Sequence, residues 1–203
     1  MEERGLPGTL RVYGCAAEET EGAKVYMARE GLFSDLAAAL HWHPMAYAGV
    51  FNLRLAAMNQ LAVEFFGRTA HAGMEPWKGR SALHAAELFA HGINLMREHL
   101  EPTARVHYAF QRAGESPNVV PDYARVWLFV RDADRGRVEE TTRWVERIAE
   151  GAALATRTAS KVELRFGMYD LLPNGPLAER MQVHLERVGV PEWTEEEQRF
   201  ARE

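Results

Sequence analysis

Apolar and polar positions along the chain fall into three regimes. Near the start, Thr9-Leu10-Arg11-Val12-Tyr13-Gly14 alternates as a strand ended by glycine. After the acidic run Glu18-Glu19-Thr20-Glu21, residues Ala23 to Glu30 have helical composition, and Gly31 sits where a helix-ending glycine belongs. Leu36 to Trp42 then forms a short apolar run. The pattern predicts β-turn-α-β, a piece of an open α/β sheet whose strand C-termini carry the chemistry.

From about Met58 the pattern changes. Leu61, Val63 and Phe65 alternate as a half-buried strand, and beyond the Gly67 to Gly79 loop Leu83, Ala86, Ala90, Ile93, Met96 and Leu100 form one helical stripe that Pro102 ends. Val106, Tyr108 and Phe110 predict a second strand, Gly114 to Pro121 a loop, and Val126, Leu128 and Val130 a third strand. A second helical stripe runs through Val138, Thr141, Val145, Ile148, Ala152 and Ala155, and Val162, Leu164 and Phe166 supply a fourth strand. The order βαββαβ is that of two helices on an antiparallel sheet. In the last regime Asn174-Gly175-Pro176 signals a helix start, Leu177, Met181, Leu185 and Val188 make a stripe stopped by Gly189, and Trp193 to Glu203 is acidic with helical tendency.

Composition narrows what such a chain can do. With 203 residues, 47% hydrophobic, 26% charged and a net charge of −5, it has the balance of a folded globular protein of one or two domains. Its acidic balance and scattered basic residues argue against nucleic acid. No stretch reads as a membrane span or a secretory leader, so a cytoplasmic protein without membrane contact is expected. The single cysteine, Cys15, leaves metal binding to histidines and carboxylates.

Five sets of residues could carry chemistry. In the adjacent pair Glu18 and Glu19, one carboxylate can hold a metal while the other moves a proton; a solvated acidic turn before a helix is the alternative. In Leu40-His41-Trp42-His43-Pro44, alternation puts His41 and His43 on one face, as metal ligands or as surface histidines. His71, between small residues in the 67–76 loop, can project as an electrophile or occupy an ordinary helix-entry loop. Asn118, in Ser116-Pro117-Asn118-Val119-Val120-Pro121, offers an amide or simply turns the chain. Arg131 shares its face with Arg125, Trp127 and Phe129, which suits carboxylate recognition as well as a sheet face covered by another domain.

Taken together, Gly14-Cys15-Ala16-Ala17-Glu18-Glu19, Trp42-His43-Pro44, Gly-Arg-x-Ala-His-Ala at 67–72, Ser-Pro-Asn-Val-Val at 116–120 and Glu150-Gly151-Ala152-Ala153-Leu154 resemble the M20 family of metallopeptidases and amidohydrolases. The likeness runs over essentially the whole chain, with the motifs in family order. It implies a partial open α/β catalytic domain interrupted by a ferredoxin-like βαββαβ lid that also dimerises, with residues 1–54 catalytic, 55–168 lid and 169–203 a return to the catalytic domain. By the same resemblance Glu18 is the general base, Glu19 and His43 are metal ligands, His71 reaches the partner subunit's site to polarise the scissile carbonyl, and Asn118 and Arg131 grip the substrate carboxylate. Two divalent ions, zinc or manganese, are the implied cofactors, and the implied reaction is cleavage of the amide of an aroyl- or acyl-amino acid such as p-aminobenzoyl-glutamate.

The family's upstream and downstream ligand motifs have no counterpart in this sequence. The chain is therefore expected to be a fragment of such an enzyme, working as a homodimer or with a related subunit. The rival expectation is a non-catalytic association module with an incomplete metal site.

Overall fold

The computed structural model describes residues 5, 7–20, 22–45 and 47–203. Glu21, within the acidic run, and residues 1–4 lie outside them, as do positions 6 and 46. The described elements are α1 (Ala23–Arg29), β1 (Ala57–Phe66), a 3-10 turn (Pro76–Lys78), α2 (Ala82–Arg97), β2 (Arg105–Arg112), β3 (Tyr123–Asp132), α3 (Arg135–Thr156), β4 (Ala159–Met168), α4 (Gly175–Val188) and α5 (Glu195–Phe200).

The four strands form one antiparallel sheet in the order β2-β3-β1-β4, the arrangement the βαββαβ pattern predicts. Side-chain caps start its two long helices: Ser81 accepts from the His84 amide at 3.2 Å, and Asp134 from the Arg137 amide at 3.0 Å. Both helices cover one sheet face. Leu61, Val63 and Phe65 of β1, Phe89, Ile93 and Met96 of α2, Val126, Leu128 and Val130 of β3, and Val138 and Val145 of α3 make the core. Phe65 and Phe89 meet at 5.7 Å between ring centroids. Burying each large apolar side chain contributes about 1.5–3 kcal/mol.

The helical stripes are rotated slightly from the predicted ones. In α2, Ala82, Ala85 and Phe89 are buried and Leu83 is only half-buried; in α3, Thr142, Ala149 and Ala153 are buried and Ala155 is exposed. The predicted β4 face also breaks. The register of β4 on β1 shifts between Gln60 and Leu61, so Leu61 faces Leu164 while Gln60 faces Phe166. Arg165 is the extra residue of that bulge, and Phe166 turns to the face away from the helices, against Gly22.

The two N-terminal strands expected at Thr9–Gly14 and Leu36–Trp42 are not formed. A parallel strand needs neighbours for its N–H and C=O groups, and none of the described strands lies beside these segments. Side chains instead tie Arg11 and Tyr13 to the residues that follow α1. Arg11 makes two 2.7 Å hydrogen bonds to Asp35, keeping that carboxyl below the usual range, while the Tyr13 hydroxyl donates to the Leu32 carbonyl at 2.9 Å. The expected α4 does form, with the Leu177 amide donating to Asn174 Oδ1 at 3.1 Å, but Leu177, Met181 and Leu185 are only half-buried.

Candidate functional site

Candidate residues gather at opposite ends of the sheet. At the end where β1 finishes and β3 begins, the 67–79 and 114–121 loops are stitched together: the Gly67 amide donates to Asp122, Ala72 to Asn118, Val120 to Ala70, and Ala82 to Pro121, all at 2.7–2.9 Å. His71 pairs with Val119 in an isolated bridge. Only glycine fits at position 67, where a Cβ would run into the Arg80 carbonyl oxygen. His71 and Asn118 are thus brought side by side on exposed, well-tied loops.

Local hydrogen bonds orient both side chains. The Gly73 amide donates to His71 Nδ1 at 3.2 Å, so in the neutral ring the proton lies on Nε2, which becomes a donor. The Ser116 hydroxyl donates to Asn118 Oδ1, leaving the amide nitrogen as the donor end of that side chain. Two donors on adjacent loops suit a developing negative charge on a carbonyl oxygen.

Arg131 lies at the other end of β3. At about 3.3 Å per residue, the strand puts roughly 26 Å between Tyr123 and Arg131, so Asn118 and Arg131 of one subunit do not converge on one carboxylate. As alternation predicts, Arg125, Trp127, Phe129 and Arg131 face away from the helices. The Arg131 guanidinium lies 5.5 Å from the Phe129 ring centroid, and Phe129 meets Trp127 and His107 edge-on at 5.0 and 5.5 Å. Burial, then the charges of Arg131 and Arg97, pushes His107 below the usual imidazole range.

Sequence reading passed over Asp132 and His107. Asp132 is buried, and its Oδ1 accepts from the Thr103 hydroxyl and the Ala133 amide, both at 2.6 Å, fixing the strand end that presents Arg131. An acidic residue at an inward-facing position of β3 was the available signal.

Glu18 and Glu19 lie in an exposed turn, and His41 and His43 in an exposed irregular segment, not at strand ends. The turn rests against the sheet, where Gln60 Nε2 donates to the Thr20 carbonyl at 3.5 Å. His43 Nδ1 donates to the Pro44 carbonyl at 2.9 Å, which leaves the Nε2 lone pair as its ligating position. Among the described residues, however, no group of three or more His, Cys, Asp or Glu side chains is placed to hold a metal ion. Glu19 and His43 alone do not make a metal site. Nor is any helix among these residues long and apolar enough to cross a membrane.

Comparison with known proteins places this architecture. Residues 57–157 match the family described as peptidase dimerisation domain, M20_dimer. Over 206 aligned residues the chain is 45% identical to one of the subunits of the p-aminobenzoyl-glutamate hydrolase of Escherichia coli, covering 100% of this chain and 42% of that protein. It is 28% identical to the Xaa-Arg dipeptidase of Mus musculus, over 91% of this chain and 43% of that one. The crystal structure of an aminobenzoyl-glutamate utilization protein from Klebsiella pneumoniae shares the fold, with a TM-score of 0.66 and 24% identity over 86% of this chain and 45% of that one. The chain therefore spans less than half the length of these relatives. With residues 57–157 matching the peptidase dimerisation domain and hydrolases among its relatives, the chain belongs to the M20 peptidase and amidohydrolase family.

Proposed function

We propose that this chain serves an amidohydrolase that cleaves the amide bond of an aroyl- or acyl-amino acid, p-aminobenzoyl-glutamate being the substrate its 45% identical relative suggests. Residues 55–168 act as the lid and dimerisation domain, between catalytic pieces at 1–54 and 169–203. The observation that carries this reading is the pairing of His71 and Asn118 as donors at one end of the sheet, with Arg131 at the other. Because the two ends are far apart, the pair serves one active site and Arg131 another, which makes association with a second copy or a related subunit part of the function. Two distinct subunits of the Escherichia coli hydrolase are both similar to this chain, which supports such a pairing.

In this reading His71 Nε2 and the Asn118 amide donate to the scissile carbonyl as it gains charge, and Arg131 pairs with the substrate carboxylate. Glu18 takes a proton from the attacking water and returns it to the leaving amine. Family membership implies a divalent ion, which we take to be zinc or manganese. Glu19 and His43 would be this chain's share of the ligands, and the remaining donors must come from outside the described set. The cytoplasm suits a protein with one thiol and no disulfide.

The test is Glu18→Gln in an enzyme that carries this sequence with a complete ligand set. Hydrolysis should fall by about 10²–10⁴-fold with metal content unchanged, and unchanged hydrolysis overturns the assignment. A second reading, a non-catalytic association module, is favoured by the lack of a three-donor group among the described residues. A metal-free dimer without amidase activity, seen by light scattering and metal analysis of the purified chain, supports that reading. Stoichiometric metal removes it.

A further inference from the structure

Phe166 lies where simple alternation does not put it. The extra residue in β4 turns its ring to the sheet face away from the helices, in one row with Gln60 of β1 and Phe129 of β3. Met58, Gln60 and Ala62, the residues of the central strand on that face, are nonetheless buried. The turn that carries Glu18 and Glu19 lies against this row. Gly22, at its end, sits so close to Phe166 that a Cβ there would run into the ring, and its φ of +63° is one that L side chains rarely adopt. Two separate constraints thus keep position 22 a glycine. Beside it, the buried Gln60 side chain donates from Nε2 to the Thr20 carbonyl at 3.5 Å.

The turn is closed on itself, so what holds its end also holds its carboxylates. The Ala17 carbonyl accepts from the Thr20 amide at 3.2 Å and the Gly22 amide at 2.7 Å, and the Ala16 carbonyl from the Ala23 amide at 3.3 Å. Ala17 itself is left-handed, with φ of 52°, a conformation that persists in a residue other than glycine only where its surroundings impose it. Glu18 and Glu19 are exposed on this closed backbone, between the Ala17 carbonyl that ties it and the Thr20 and Gly22 positions that meet the sheet. A shift of the turn on the sheet therefore moves both carboxylates together.

We propose that Phe166 and Gln60 are positioning residues for the acidic turn: the sheet of the lid seats the turn, and so fixes where Glu18 takes and returns its proton. The proposal rests on the amidohydrolase reading, in which Glu18 is the base. It adds that the placement of this base belongs to the lid as well as to the segment that carries it. A misplacement of about 1 Å can cost about 10²-fold in rate, so a contact that touches only the backbone of the turn bears on the chemistry.

NMR of the 203-residue chain tests the seat. The Phe166 ring should displace the Gly22 Hα signals from their unstructured positions, and Phe166→Leu should return them while the Phe65 and Phe89 ring signals stay in place. Kinetics test the positioning, in an enzyme that carries this sequence with a complete ligand set. Phe166→Ala should lower kcat about 10–100-fold with KM unchanged. Metal content per chain should also be unchanged, which separates a misplaced base from a smaller folded fraction. Phe166→Leu keeps an apolar contact and should restore most of the loss, and Gln60→Leu should have a smaller effect than Phe166→Ala. Gly22→Ala should cost much in the parent and much less beside Phe166→Ala, because the two act through one contact. If Phe166→Ala does not fold, Gly22→Ala and Gln60→Leu carry the same test. Gly22 signals indifferent to Phe166→Leu overturn the seat. Parent-like kcat in Phe166→Ala, a loss confined to KM, or equal losses from Gly22→Ala with and without the ring overturn the positioning. The amidohydrolase reading survives these outcomes and falls if Glu18→Gln hydrolyses as the parent does.

Discussion

Residues 57–168 and the segments flanking them both carry large apolar side chains, but they use them differently. Among the described residues every buried one lies between Ala57 and Ala153, whereas Leu10, Trp42, Val188 and Phe200 are 77%, 82%, 83% and 83% exposed. In the central region each strand finds a neighbour and each helix a sheet. In the flanks Thr9–Gly14 has a strand's alternation and, among the described residues, no strand to pair with. Alternation states what a segment would bury; it becomes structure only when a partner accepts its backbone hydrogen bonds.

Removing core volume should separate the two regions most strongly. Phe89→Ala is expected to cost about 3–5 kcal/mol, read as a lower denaturant midpoint with the transition still cooperative. Next is the buried polar cluster, where Asn59 Nδ2 donates to Thr142 Oγ1 at 2.9 Å and Arg135 Nη1 donates to Asn59 Oδ1 at 2.6 Å. Asn59→Ala leaves Arg135 without that acceptor and should cost about 1–3 kcal/mol by the same measurement. Gly67→Ala should cost a similar amount or slightly less, because the loop must move off the Arg80 carbonyl. Its more telling readout is the His71 imidazole NMR signal, which should change while those of His91 and His99 do not.

A smaller effect is expected from pH. The folded pKa of His107 lies below its unfolded value, so above the ordinary imidazole range both states are neutral and the residue costs nothing. As pH falls through about 6.5 the unfolded state takes up its proton first, and stability drops until the folded ring also titrates. The slope of melting temperature against pH between about 7.5 and about 5.5 should flatten in His107→Gln. An unchanged slope would mean that neither burial nor the charges of Arg131 and Arg97 act on this ring. Smallest of all, Leu10→Ser and Trp42→Ser should change stability by no more than about 0.5 kcal/mol. A loss above about 1 kcal/mol in either would break the contrast, showing that the flank is packed in solution.

The sheet region was legible because its signals agree. Leu61, Val63 and Phe65 alternate, Ser81 and Asp134 cap, and connections are short, so periodicity and turn chemistry point the same way. Phe166 was misplaced because a bulge adds one residue without altering composition. Phe89 escaped because the helical stripe was phased on Leu83, one position beyond the true start at Ala82. At the site, motif and order singled out His71, Asn118 and Arg131. They could not reveal that a ten-residue strand would hold Asn118 and Arg131 apart.

The central position of β1 sets a timescale for His71. β1 is hydrogen-bonded on both sides, to β3 over Ala57–Phe66 and to β4 over Met58–Phe66, so its interior amides exchange with solvent only when the whole domain opens. His71 hangs five residues beyond Phe66, on a loop bonded through Gly67 and Ala72 to the segment that leads into β3. Its ring can turn in nanoseconds while its anchor lasts as long as the folded domain. In the proposed reading, a donor aimed at a second protomer's substrate is thus mounted on the part of the chain that lets go last.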